Sequence, residues 1–449
     1  MLTNPNNIPI PGDFVLHDIF LSSPLNTELS LVEVFDQINI YESLFKDTLS
    51  GNIAITDTNN LLVEYPIVGH ESITLIFDNP LLTDSTPIEK KFRVYGITQY
   101  TAVGEAVAGY MINFVSEEFI TSSSIKISKS YIGRNISDMV ESIYDDYLDT
   151  DKVLVVEKTR NLHDVIIPNW SPLHSMNWLA SRGMSEDHDG ANYFFFETLD
   201  GFNFVSMEKL IDDVRKDKIA YPNGTKTKYS YGMKNVGESN TGIAHTIADS
   251  YNVDSTSNII QNLSRGMYGS KLITHDIVKR EYKKYNFDYK ETYDEYIHVE
   301  ENNTTNSTSD NQQSTMLVGE TIDDFDEKYD SHQLLIPIHY QMYGGVPVSN
   351  RDTSHHEKSI QIRTSQLQQL DSYKLVLNVP GDPNRRTGDL VYFECPTVGA
   401  TMGEITEDKL YSGNYVVLAV RNIFGDGVHE TVLELVKDSY FTPLRKELS

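Results

Sequence analysis

The sequence predicts a mainly β chain interrupted by a smaller α/β insert, on three observations. Six short apolar runs lie within the first 116 residues, each bounded by Asn, Asp, Gly or Pro. The apolar period then changes to that of helices between about 117 and 215. After residue 359 the strand pattern returns. Short runs at this density, several of them alternating apolar and polar, point to antiparallel barrels or sandwiches.

The six runs are Leu29 to Ile40, Ser50 to Thr56, Leu61 to Tyr65, Ser72 to Phe77, Phe92 to Ile97 and Tyr110 to Val115. The insert opens with a helical stripe, Met139, Val140, Ile143, Tyr144, Tyr147 and Leu148, with Ser137 as the expected N-cap. Ser171-Pro172 starts a second helix carrying Leu173, Met176, Leu179 and Ala180. Gly183 is the expected left-handed terminator. Tyr193 to Phe196 and Phe202 to Val205, around Asp200-Gly201, read as a hairpin. Further on, Lys271 to Val278 reads as a strand, amid tyrosines at 282, 285, 289, 293 and 296. Ser359 to Arg363, Tyr373 to Val379, Asp389 to Glu394, Asn414 to Phe424 and Val428 to Val436 are the C-terminal strand candidates, the last two joined by Gly425-Asp426-Gly427. The expected units are a first barrel at 1–116, an α/β insert at 117–215, the start of a second barrel at 216–275, a peripheral excursion at 276–358 and completion of the second barrel at 359–449. Within the excursion, 301–315 has no apolar side chain to offset its ordering entropy, so a mobile polar loop is expected there.

Composition narrows the function. Hydrophobic residues are 39% and charged residues 23%, a globular balance that excludes a collagenous or disordered chain. Against 37 Lys and Arg stand 65 Asp and Glu, a net charge of −28 that repels phosphate backbones. Cys395 is the only cysteine, which excludes an intrachain disulfide and a multi-cysteine zinc site. The N-terminus has no basic signal region and no apolar run reaches the length of a membrane helix, so a soluble protein with no membrane association is expected.

Chemical motifs fail on spacing. Glu186-Asp187-His188-Asp189-Gly190 resembles half of a calcium loop, but with Gly190 at position 6 the twelfth position is Phe196. Gly266 to Lys271 lacks Walker spacing, and His355-His356-Glu357 lacks two histidines four apart. His163, Asp164 and His174 stand near no nucleophile elbow. Trp170 and Trp178 fit packing of the insert's core better than a glycan platform. No catalytic residue, metal ligand or cofactor-binding residue is assigned.

Three stretches together resemble the baseplate hub proteins of contractile-tailed bacteriophages. The first runs from Ile166 through Trp170, Pro172 and Trp178 to Ser181, followed by Tyr193 to Ser206 with Gly201 and Phe202. The second is Asn262 to Lys271 with Gly266, running into Asp276. The third holds Pro380, Gly381, Gly388, Asp389, Gly413 and Asp438. The resemblance implies two tube-type barrels per chain and a homotrimeric ring. Such a ring joins a sixfold tail tube protein to a trimeric central spike protein, touches baseplate wedge or other hub-associated proteins, and lets DNA pass through its channel unbound. It implies a virion tail protein assembled in the host cytoplasm, with structural rather than catalytic motif residues. Leu29 to Ile40 and Asn414 to Phe424, the longest apolar strands, are the expected contacts between subunits. Competing expectations are a tail-tip cell-wall hydrolase and the hub of a bacterial contractile injection system.

Overall fold

A computed structural model of the chain describes residues 12–24, 28–78, 87–103, 107–215, 220–221, 224–225, 229–233, 247–255, 258–277, 279–300, 329–338, 355–371, 373–395, 397, 408 and 410–439. The polar run 301–315 lies outside the described residues. The molecule is mainly β with an α/β insert, as the sequence predicts.

The N-terminal unit comprises β1 (Val15–Ser22), β2 (Glu28–Ser30), β3 (Phe35–Ser43), β4 (Ser50–Asp57), α1 (Leu61–Glu64), β5 (Ser72–Asp78), β6 (Ile88–Val103) and β7 (Val107–Ser116). Its strands are ordered β3-β4-β7-β6-β5-β1-β2. Alternate side chains such as Ile53, Ile73, Leu75, Ile112 and Phe114 meet in one core. Two expectations for this unit are corrected. Leu29 to Ile40 is two strands rather than one, because the Val34 and Phe35 amides turn back onto Leu31 O at 3.1 and 3.0 Å. Leu61 to Tyr65 is the short helix α1: the Asp57 carboxylate accepts from the Asn59 and Leu61 amides, each at 2.9 Å, and this local cap overrides the apolar pattern.

The insert comprises α2 (Glu117–Ser124), β8 (Ile127–Arg134), α3 (Ile136–Tyr147), β9 (Leu154–Val156), β10 (His163–Trp170), α4 (Pro172–Ala180), β11 (Tyr193–Thr198), β12 (Gly201–Ser206) and α5 (Met207–Arg215). β8 pairs with β10, and β12 lies between β11 and β9. Asn135, not Ser137, precedes α3. Ser137 is buried, and its amide donates to Thr159 Oγ1 at 2.9 Å. Gly183 does not adopt the left-handed conformation. Its lack of a side chain serves a close approach instead, since a Cβ there would lie 2.9 Å from Tyr193 Cγ.

After the short pair β13 (Ala220–Tyr221) and β14 (Gly224–Thr225) come β15 (Tyr229–Met233), β16 (Ile247–Ala248), β17 (Ser250–Ser255), α6 (Ile259–Ser264), β18 (Gly269–Asp276), β19 (Glu281–Asp288), α7 (Tyr289–Thr292), β20 (Gln333–Ile338), α8 (His355–Asp371), β21 (Lys374–Pro380), β22 (Leu390–Glu394), β23 (Gly413–Gly425) and β24 (Val428–Val436). β15, β22, β23, β24 and β21 hydrogen-bond in that order; β16 continues into β17, pairing β15 on one side and β21 on the other. β18 pairs instead in a separate sheet ordered β19-β18-β20. The Ser359 to Arg363 strand expectation is also corrected, because these residues lie inside α8. Its buried face is polar: Gln361 donates to Ser270 O at 3.0 Å, Ser365 to Met267 O at 2.7 Å, and Arg363 to the Ala191 and Tyr193 carbonyls at 3.0 Å. A helix whose buried side is polar carries no apolar helical stripe to read.

The two β units are one sheet. β3 pairs antiparallel with β23 from Ser43 opposite Ala419 to Gln37 opposite Gly425. This corrects the expected subunit contact, because both strands meet each other within the chain and each is paired on both sides. Asp426 and Gly427 both have positive φ, 51° and 78°, which twists the β23–β24 turn to match its strands. Phe424, on β23, is 3% exposed and packs in the N-terminal core, 4.8 Å from the Phe77 ring and 5.3 Å from Phe14. Truncation of such a side chain costs about 3–5 kcal/mol. Phe424→Ala is therefore expected to lower the urea midpoint of both β units together, read by hydrogen–deuterium exchange of peptides from each unit. Separate transitions, with only one shifted, would contradict the shared core.

Candidate functional site

Among the described residues, a concentration of buried charge lies at the tip of the β11–β12 hairpin, where the three units meet. Gly201 at this tip has φ 135°, and a Cβ there would fall 2.5 Å from Val153 O, so only glycine fits beside β9. Phe202, fully buried, donates its amide to Val153 O at 2.8 Å. The hairpin thus presents Glu197, Leu199 and Asp200 to both β units.

Glu197 accepts from the Leu49 amide at 2.9 Å and from Ser116 Oγ at 2.6 Å, both in the N-terminal unit. Its other oxygen accepts from Lys152 Nζ at 2.6 Å, and Lys152 also donates to Glu118 at 2.7 Å. Burial disfavours the Lys152 ammonium, but Glu197 and Glu118 outweigh it and hold the group above its ordinary range. Asp200 receives the Nε–Nη2 edge of Arg386, at 2.8 Å from Nε and 3.0 Å from Nη2, a bidentate bond to the loop before β22. Lys90 of β6 donates to Leu199 O.

Glu42 of β3 sits between these groups, accepting from the Leu199 amide and from the Thr387 amide, each at 3.2 Å. One carboxylate therefore touches all three units. Burial pushes its pKa up to about 7, against the pull of Arg386. The groups are polar clamps. Each strong acceptor is already engaged by an amide, a hydroxyl or a cation.

Four motif glycines and acids shape the adjoining loops. Gly381 follows Pro380 at the end of β21, and a Cβ there would lie 2.1 Å from His429 Cγ. His429 stacks on Phe424 at 4.2 Å, and burial lowers its pKa to about 3, so it is a neutral core ring. Gly388 has φ 88° and donates to Val417 O at 2.8 Å, while Asp389 accepts from the Arg386 amide at 2.9 Å. Gly413 has φ 130° at the start of β23. Asp438 lies apart from the junction. It binds His298 Nδ1 at 2.9 Å, and His298 Nε2 reaches Tyr293 O at 2.8 Å. A carbonyl only accepts, so Nε2 carries a proton. Despite burial, Asp438 raises the imidazole pKa, and His298 in turn lowers that of Asp438.

The other motif positions are structural. Trp170 and Trp178 meet edge to face at 5.3 Å against the insert's core, with Pro172 buried in the first turn of α4. Gly266, with φ 78°, makes room for the His332 ring, and Asp276 caps the β18–β19 turn by accepting from the Lys279 amide at 2.9 Å. In the Glu186–Gly190 loop, Arg160 binds His188 O and Asp189, and Gly190 donates to Glu208. Among the described residues, no group of three or more His, Cys, Asp or Glu is placed to hold a metal. No helix there is long and apolar enough to cross a membrane. Sequence reasoning passed over Glu42, Glu118 and Lys152. The one readable signal was Glu197, an acid directly after three phenylalanines.

Two outcomes test the junction. Arg386→Ala leaves Asp200 without its cation, and breaking a buried pair from one side costs about 3–5 kcal/mol, measurable by urea unfolding. Glu42 binds its proton more tightly folded than unfolded between its ordinary 4.5 and about 7. Its contribution to stability therefore rises as pH falls through that window. The difference in unfolding free energy between wild type and Glu42→Gln should change in that direction between pH 7.5 and 5; a flat difference would show the carboxylate already ionised.

No family model and no curated protein matches the sequence. Solved structures do match the fold. A tail protein from Neisseria meningitidis MC58 aligns with TM-score 0.53 at 8% identity, covering 95% of this chain and 97% of that one. The 43 kDa tail protein of prophage MuSo2 from Shewanella oneidensis aligns with TM-score 0.52 at 10% identity, covering 94% and 98%. The chain therefore has, over nearly its whole length, the fold of these two tail proteins.

Proposed function

We propose that this chain is a structural protein of a phage-type contractile tail, the baseplate hub that joins a sixfold tail tube to a threefold central spike. The observation that carries the reading is the fold shared end to end with two tail proteins, a likeness that extends through the insert and both β units. In this reading each chain supplies two tube-like barrels, 1–116 and 216–275 completed by 359–449, with the α/β insert 117–215 and the excursion 276–358 outside them. Three chains then present six barrels to the tube and three equivalent positions to the spike. Fusion of the two units through β3 and β23 suits this role, since it sets the angle between neighbouring barrels inside each chain. The net charge of −28 suits a channel that passes DNA without holding it. The chain would work in the virion tail after assembly in the host cytoplasm, against tube, spike and wedge proteins, and by shape rather than catalysis.

Particle imaging and light scattering of the purified chain test this. A threefold ring with a sixfold-like outline around a central channel is expected. A stable monomer at micromolar concentration, or a twofold dimer, would overturn the ring.

A further inference from the structure

Among the described residues, the sheet of β19, β18 and β20 has one covered face and one bare face. On the covered side α8 bonds to Ser270 and Met267, and Leu272 and Phe287 are buried. Strand register places two rows on the other side: Lys284, Ile273 and Leu335, then Tyr282, His275 and Pro337. Leu335 is 69% exposed and Tyr282 56%. The charge here opposes that of the chain. Lys284 stands on this face and Lys279 and Arg280 in the β18–β19 turn beside it, all three exposed, while Lys283 falls on the α8 side; the whole protein carries −28.

A basic face mixed with exposed apolar side chains suits a protein partner. Phosphates gain nothing from Tyr282 and Leu335, whereas Tyr and Arg beside apolar area characterise protein interfaces. The chain itself supplies a matching surface. Asp145, Asp149 and Asp151 are exposed at the C-terminal end of α3, beside Asp146, which Lys129 already holds at 2.8 Å; the last turn of the helix has no basic residue of its own. Acids at a helix C-terminus face the negative end of its dipole, so cations brought by a partner relieve a local cost.

We propose that the bare face of the β19-β18-β20 sheet docks on the acidic end of α3 in a second copy of this chain. The inference rests on the ring reading above and gives it a head-to-tail contact, since different patches on the two copies can close a ring. Salt-dependent attraction between the two patches would also speed assembly.

Charge reversal on each side tests it, with association of the full chain followed by light scattering at low and high salt. Arg280→Glu with Lys284→Glu, and separately Asp145→Lys with Asp149→Lys, should each weaken association about tenfold at low salt, and less at high salt. A chain carrying all four substitutions should recover association, because each reversed hairpin then meets a reversed helix end. Wild type that associates while neither reversal matters would overturn this contact and leave the ring reading standing. Failure of the fourfold variant to recover would overturn α3 as the partner surface. Wild type that stays monomeric at every concentration would remove both. Loss of duplex DNA retention in R280E/K284E with association unchanged would assign the face to nucleic acid and overturn the proposal.

Discussion

One strand serves two units, and the rest of the architecture follows from that. β23 hydrogen-bonds to β22 through residues 413–416 and to β3 through residues 419–425, while β24 lines its other edge from residue 416 to 425. The exchange happens at Leu418, where the ladder to β24 slips by a residue and the Leu418 carbonyl accepts the Leu44 amide at 3.0 Å. A bulge adds a residue on one strand and sharpens its twist, which lets a single strand leave one partner and enter another core. Val417 lies in the C-terminal core and Phe424 in the N-terminal one, seven residues along the same strand. The two cores thereby share one strand, although hundreds of residues separate their other strands in sequence.

Backbone pairing along one seam leaves the third unit to be placed by other means. The polar junction does this. The β11–β12 hairpin touches the N-terminal unit through Glu197 and the C-terminal unit through Asp200, and Glu42 accepts from both the hairpin and the Arg386 loop. Buried charges of this kind contribute little net stability compared with apolar packing. They are directional, however, and satisfied only when all three units stand at one relative angle. α8 reinforces the placement from the opposite side, with Arg363 held by carbonyls of the insert and Ser365 by a carbonyl of the segment before β18.

Elements whose pattern is local were legible in the sequence. The alternating strands β4, β5, β7 and β24, the Ser-Pro start of α4 and the Asp-Gly turns follow from side-chain period and backbone preference alone. Misreadings arose where a local hydrogen bond outranked pattern, as at Asp57 and α1, or where burial was polar, as along α8. Gly183 and Gly381 were legible as special positions. What they are special for, the rings of Tyr193 and His429, depends on residues brought in from elsewhere.

By itself the sequence determined the class of the fold and showed no familiar catalytic spacing, because both are written in neighbouring residues. Tertiary structure alone decided that β3 and β23 pair with each other rather than with another subunit. Strands of equal length and apolarity are interchangeable as partners until twist, register and the bulge at Leu418 select one. It also decided which of 65 carboxylates would matter. Glu42 and Glu197 differ from the rest in no local feature except apolar neighbours. Their roles come from burial beside amides and cations that the chain supplies from as far as 345 residues away.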